Sequence, residues 1–183
     1  MSAPIPVSLS RDVPFGTSIG VRVEDIEYIV WRDEGGKAHI WEDRCPHRGM
    51  KLSLGFVRGD RIACLYHGWE YSADGRCQKI PAHPELPVPD SIIVGTFGAV
   101  ESSGLIWLAT EGSAVEDAPL HPVRSMMVEA VVSNVETPKG THVFVQPVSA
   151  GETMLHICVE EVTQAEPAYL WALGLRTELE GAA

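Results

Sequence analysis

The chain has 183 residues, 45% of them hydrophobic, enough for one substantial core with a smaller second module. Its 25 acidic residues outweigh 14 basic ones, a formal charge of -11 that argues against a nucleic-acid or anionic-membrane surface. Apolar runs such as Leu105 to Ala109 are of strand length and no basic-apolar-small segment precedes Arg11, so the expectation is a cytoplasmic protein without a membrane span.

The first two thirds read as short antiparallel strands separated by turns. Val21 to Arg32 runs through Asp33-Glu34-Gly35-Gly36 into Ala38 to Glu42, a hairpin that ends at Cys45-Pro46-His47-Arg48-Gly49. Leu54 to Arg58, Gly59-Asp60 and Arg61 to Cys64 form a second hairpin, which presents Cys64-Leu65-Tyr66-His67-Gly68-Trp69. Trp69 to Ser72, Asp74-Gly75 and Cys77 to Ile80 form a third. After a proline-marked stretch from Pro81 to Pro89, Ile92 to Glu101 and Leu105 to Ala109 close the set around Ser102-Ser103-Gly104. From Glu111 to Pro122 the composition turns to small, acidic and proline residues, the signature of a linker. Beyond it, Met126 to Val135, His142 to Val148 and Met154 to Val162 read as strands, and Ala168 to Leu179 as a helix behind Glu166-Pro167. The predicted division is a domain at 1–112, a linker at 113–123 and a short α+β module at 124–183.

The two loops carry the chemistry. Each supplies one thiol and one imidazole, so Cys45, His47, Cys64 and His67 together form the Cys2His2 donor set of a Rieske [2Fe-2S] cluster. Two neutral imidazoles in place of two thiolates remove negative charge from one iron and raise its potential. Cys45 and Cys64 are therefore assigned to the iron that stays ferric, and His47 and His67 to the iron that alternates between ferric and ferrous. A structural zinc site uses the same residue types, but as a Cys pair followed by a His pair, whereas each loop here mixes them. Cys77 and Cys158 read as reduced, packed thiols.

The segments CPHRGMKLSLG from Cys45 and CLYHGWEYSADGRCQKIPA from Cys64 resemble the Rieske domain of bacterial Rieske oxygenases, particularly the O-demethylase branch, over about residues 20 to 110. The resemblance implies an antiparallel β-sandwich with the cluster at the tips of two loops, in a mostly β chain. It also implies a cluster that passes electrons to a mononuclear iron used for hydroxylation or demethylation. High-potential Rieske proteins of respiratory complexes carry an extra cysteine in each loop and a serine after the second His-Gly; here Met50, Leu65-Tyr66 and Trp69 stand in those regions. With fewer hydrogen-bond donors to stabilise the added electron, the expected potential is near the low end of the Rieske range, roughly -150 mV. Tyr71 lies where the respiratory branch also has a tyrosine, as a donor to a cysteine sulfur or as a packed strand residue.

The second module resembles only a remnant of the family's catalytic domain. That domain holds a mononuclear iron through two histidines and a carboxylate, in a pattern of Asn, an acidic residue and two nearby histidines with a downstream Asp. Asn134-Val135-Glu136 leads to a single histidine, His142, and no aspartate follows Asp117, so a mononuclear iron is not expected. The alternative set is His142 and His156 with one of Glu136, Glu152 or Glu160. Of the remaining histidines, His39 is predicted to face solvent from a strand, and His83 and His121 to lie in loops before prolines. Trp31, Trp41, Trp107 and Trp171 are core or interface candidates, and Trp69 packs or shields the cluster.

Three functions follow. The first is an electron-transfer component, fed by a reductase or ferredoxin, acting on an oxygenase chain and forming homo-oligomers or hetero-oligomers with a full-length oxygenase subunit. There, reduction raises the pKa of the liganding imidazoles and draws in protons at alkaline pH. The second is a small complete oxygenase acting on an aromatic or methylated substrate through the improvised triad, and the third is an interaction module stapled by zinc. The acidic surface fits either solubility or attraction to a basic patch on another protein.

Overall fold

The computed structural model describes residues 3–109 and 113–181. Its strands, in chain order, are β1 (Ile5–Leu9), β2 (Thr17–Val23), β3 (Ile26–Arg32), β4 (Ala38–Glu42), β5 (Phe56–Arg58), β6 (Arg61–Ala63), β7 (Glu70–Ser72) and β8 (Cys77–Lys79), then β9 (Thr96–Ser102), β10 (Leu105–Ala109), β11 (His121–Val128), β12 (Thr141–Ser149) and β13 (Glu152–Val159). One helix, α1 (Ala165–Gly181), follows. The chain is thus mostly β, as the sequence predicts. No helix among the described residues is long and apolar enough to cross a membrane.

The residues form two compact units, and neither is continuous in sequence. The first consists of Val13–Val21 and Glu27–Ala99. In it β3 pairs antiparallel with β4, β4 with the start of β9, and β5, β6, β7 and β8 make a four-stranded antiparallel sheet in that order. Ile29, Trp31, Trp41, Leu52, Ile62 and Tyr71, each 0–1% exposed, form its core together with Cys45, Cys64 and Cys77. β3 is buried along five consecutive residues, of which Tyr28–Trp31 read as an unbroken apolar run rather than an alternating one and Arg32 is a buried charge.

The second unit takes the described residues up to Asp12, Arg22–Ile26 and the described residues from Val100 onward. Here β1 pairs antiparallel with β10, and β11-β13-β12 form a three-stranded antiparallel sheet. Leu9, Leu105 and Trp107 pack with Cys158 and Phe144, which groups β1 and β10 with the C-terminal strands and differs from the linear division of the sequence at 112. Helix α1 lies on β11 and β13 through Ala168 and Ala172, whose small side chains let the backbones approach.

Several element limits differ from the sequence reading, each for a local reason. The run Val21 to Arg32 is interrupted by a two-residue turn at Glu24 and Asp25, both at positive φ (50° and 65°). It lacks the expected glycine because Glu24 N–H and Asp25 N–H donate to Pro147 O and Val148 O, which hold the turn in place. Ile92 to Val94 join no long strand: Cys77 N–H donates to Ile92 O and Val94 N–H to Gly75 O. β11 starts at His121, in the expected linker, and ends at Val128 instead of Val135. Pro122 and Pro147 are tolerated because both occupy edge strands of their sheet at register shifts, leaving proline-free β13 in the centre. Pro167 falls in the first turn of α1, where its missing N–H costs nothing, so the helix starts at Ala165 rather than Ala168.

Candidate metal centre

The two cysteine loops share one backbone plan. Cys45 N–H donates to Met50 O (2.8 Å) and Gly49 N–H to Cys45 O (2.8 Å); Cys64 N–H donates to Trp69 O (2.9 Å) and Gly68 N–H to Cys64 O (2.9 Å). In both loops the fourth residue after the cysteine is a glycine at positive φ, 73° for Gly49 and 68° for Gly68, a conformation that L side chains resist. The histidine comes two residues after the cysteine in the first loop and three after it in the second. Both thiols are directed inward, with Cys45 1% and Cys64 3% exposed. The imidazoles stay at the surface, His47 half-buried and His67 exposed.

The four side chains form two adjacent pairs. The Cys45 thiol is near enough to Cys64 to raise its pKa, and the rings of His47 and His67 lie 4.7 Å apart at 62°. Tyr71 Oη sits 3.1 Å from Cys45 Sγ, placed to donate once that sulfur is a thiolate. Trp69 stacks on His47 at 4.2 Å and 5°, and Tyr66 lies over His67 at 4.0 Å. Among the described residues no three His, Cys, Asp or Glu side chains converge on a single ion. A thiol pair inside and an imidazole pair outside suit two irons with unlike ligands, whereas a tetrahedral zinc needs four donors about one point.

The environment shifts these groups as burial dictates. Burial pushes the Cys64 thiol up, with Cys45 adding to the effect, and burial raises Cys77 as well. Tyr71 is held protonated by burial and by its bond to Cys45. His47 is lowered by desolvation, then by His67 and Arg48 beside it.

Supports for the loops that the sequence reading passed over are now visible. The buried Asp43 carboxylate accepts from Ser53 N–H (2.7 Å) and Ser53 Oγ–H (2.6 Å), clamping the first loop at its base. An acidic residue two positions before Cys45 was the available signal. His39, predicted to face solvent, is 7% exposed: its Nε2 meets Asp33 Oδ2 at 3.0 Å and its ring stacks on Trp31 at 4.3 Å, so the carboxylate satisfies it inside the core.

The alternative iron set does not assemble. His142 Nε2 pairs with Glu160 Oε1 at 3.0 Å on the surface, and Glu136 is exposed in the segment between β11 and β12. His156 is 1% exposed, with Nδ1 2.9 Å from Ser125 Oγ and Nε2 2.8 Å from Gln146 Oε1. Both ring nitrogens are occupied, and burial lowers its pKa to about 4. Glu152 accepts from Ser149 Oγ and lies 3.6 Å from Arg22.

Residues 3–90 match the family model of the Rieske [2Fe-2S] domain. The chain carries a Rieske [2Fe-2S] domain. Among curated relatives, oxidoreductase NdmD of Pseudomonas putida is 34% identical over 137 residues, 72% of this chain and 22% of NdmD. Methylxanthine N1-demethylase NdmA of the same organism is 44% identical over 87 residues, 48% of this chain and 25% of NdmA. The chain thus spans about a quarter or less of the length of these relatives. Its fold resembles that of dicamba monooxygenase bound to dicamba, with a TM-score of 0.80 at 16% identity, covering 98% of this chain and 86% of that one. The Rieske domain is the part of the chain to which a [2Fe-2S] cluster belongs.

Proposed function

We propose that the chain is an electron-transfer component of a Rieske oxygenase system. It accepts one electron from a reductase or ferredoxin and passes it towards an oxygenase iron on another subunit, in a homo- or hetero-oligomer. Cys45 and Cys64 would hold one iron of a [2Fe-2S] cluster and His47 and His67 the other, and the bound cluster would supply a one-electron carrier. The observation that carries this reading is the pairing of two buried thiols with two imidazoles at the surface.

The remaining residues have definable tasks. Tyr71 keeps its proton at Oη and donates it in a hydrogen bond to Cys45 Sγ, which stabilises added negative charge there. Trp69 covers one face of the His47 ring and keeps water from that side. Asp43 holds the base of the first loop through Ser53, and Gly49 and Gly68 allow both loops to reverse tightly. His67 and its neighbour Tyr66 give the second loop an exposed aromatic edge through which electrons enter or leave.

The test is complementation in trans. A full-length Rieske oxygenase, with the cysteines of its own Rieske domain replaced, is mixed with this chain, a reductase and that oxygenase's substrate. Oxygen-dependent turnover that appears only when this chain is added supports the proposal. A chain that is reduced by the reductase but restores no turnover contradicts it.

A further inference from the structure

The charge of the chain is unevenly shared. The unit bearing the cysteine loops has nine basic and ten acidic residues, while the rest of the chain has five basic and fifteen acidic. The net negative charge therefore does not belong to the cluster-bearing unit, and the sequence-level picture of an acidic carrier does not describe the surface at its loops.

Most cations of this unit are answered by carboxylates. Lys51 pairs with Glu27; Arg58, Arg61 and Lys79 surround Glu70; Arg76 reaches Asp74 and Asp90. Arg32 donates to Val13 O and Gly36 O, whereas Arg44 and Arg48 are both exposed and among the described residues neither makes an ion pair or hydrogen bond, nor does the side chain of Lys37. The two arginines bracket Cys45 and His47 in sequence and line one cleft of about 360 Å³ together with His47, Pro46 and Ile93, and with Glu42 as a carboxylate among its walls. A Cβ placed on Gly49 would lie 3.5 Å from Arg44 Nε, so this guanidinium rests against the loop that carries His47. On the second loop Leu65 and Tyr66 are 48% and 55% exposed, with Tyr66 over His67. Uncompensated arginines beside an exposed tyrosine and leucine have the composition of a recognition surface.

We propose that this surface docks an acidic electron-donor protein, a deepening that rests on the electron-transfer reading above. Carboxylates around the donor's redox group meet Arg44 and Arg48, one of them entering the cleft, and Leu65 and Tyr66 pack against the apolar surface inside that acidic ring. Docking brings the donor to the His47 and His67 edge, where the donor is oxidised by one electron and this chain is reduced by one, with no bond made or broken. Opposite charge of this kind raises association rates and makes them fall with ionic strength.

Stopped-flow reduction of the cluster-loaded full chain by a pre-reduced plant-type [2Fe-2S] ferredoxin, an acidic one-electron donor, tests the site. The wild-type rate constant should fall steeply with added salt, and the R44E/R48E variant should be slower by about tenfold or more at low salt, with the salt dependence lost. Reoxidation of the same variant by the small cation hexaammineruthenium(III) should become faster, which a misfolded centre would not produce. R44Q/R48Q, a milder change checked by its cluster absorbance, should fall between. Equal or faster reduction by ferredoxin in both variants, or a wild-type rate that rises with salt, overturns the docking site. So does a slowed rate accompanied by a changed sedimentation coefficient, which would assign the arginines to contact between copies of this chain. A chain that dithionite itself cannot reduce overturns the electron-transfer reading and the docking site with it. One that dithionite reduces, but whose ferredoxin rate ignores both arginines, overturns the docking site alone.

Discussion

Tyr71 and Cys77 lie in the same core as the two cluster cysteines, yet their chemistry assigns them different parts. Tyr71 Oη is 3.1 Å from Cys45 Sγ, so Tyr71→Phe removes one donor to sulfur without emptying the core. A hydrogen bond worth about 1 kcal/mol corresponds to a potential lower by roughly 40 mV for a one-electron couple, measurable by a redox titration of the variant. The Cys77 thiol lies within 3.7 Å of Lys79 O. Cys77→Ser is therefore expected to keep its iron and sulfide, whereas Cys45→Ser loses them. His156 is the residue whose protonation matters for the fold. Its folded pKa is about 4 and its unfolded value 6.5. Between those limits the unfolded chain binds the extra proton, so stability is full above pH 6.5 and falls as pH drops towards 4. The loss is about 1.4 kcal/mol per unit, roughly 3 kcal/mol in all. Denaturant midpoints followed across that window should show this slope in the wild type and a flatter one in His156→Gln.

Between cysteine and glycine, each loop is a small element of its own. Gly49 and Gly68 both adopt positive φ, but their surroundings differ: a Cβ at Gly49 meets Arg44 Nε at 3.5 Å, an ordinary contact, while one at Gly68 meets Pro81 Cγ at 3.2 Å. Gly49→Ala should cost about 1 kcal/mol from backbone conformation alone, and Gly68→Ala more, with a larger loss of bound iron per chain as the check. These loops were legible in the sequence because cysteine, histidine and glycine at fixed offsets state a backbone and a donor set together. β10 was legible to the residue, since its run Leu105–Ala109 is bounded by the Ser102-Ser103-Gly104 turn. The Glu24-Asp25 turn was not, because hydrogen bonds to Pro147 and Val148, more than a hundred residues away, stabilise a conformation that its residues do not advertise. For the same reason the burial of His39 was missed: a strand histidine looks solvent-facing until the Asp33 carboxylate that satisfies it is found across the hairpin. Strand β1 escaped notice because its five residues acquire a role only when paired with β10.

At the scale of the whole molecule, the Rieske domain is joined to a sheet and helix that keep the histidines of the second module occupied elsewhere. His142 is committed to Glu160 and His156 to Ser125 and Gln146, so His142→Ala and His156→Gln should leave the iron content of the chain unchanged. The function proposed for the chain therefore rests on one centre and on what reaches it from outside. On the proposed docking, what reaches that centre meets Arg44 and Arg48, in the unit whose nine basic and ten acidic residues nearly balance. The central claim is that Cys45, His47, Cys64 and His67 hold a [2Fe-2S] cluster, and iron, zinc and acid-labile sulfide per chain, measured on anaerobically purified protein, test it most directly. The account predicts iron and sulfide in equal amounts, about two of each, both lost in the Cys45→Ser and His67→Ala variants. Zinc without sulfide would contradict it.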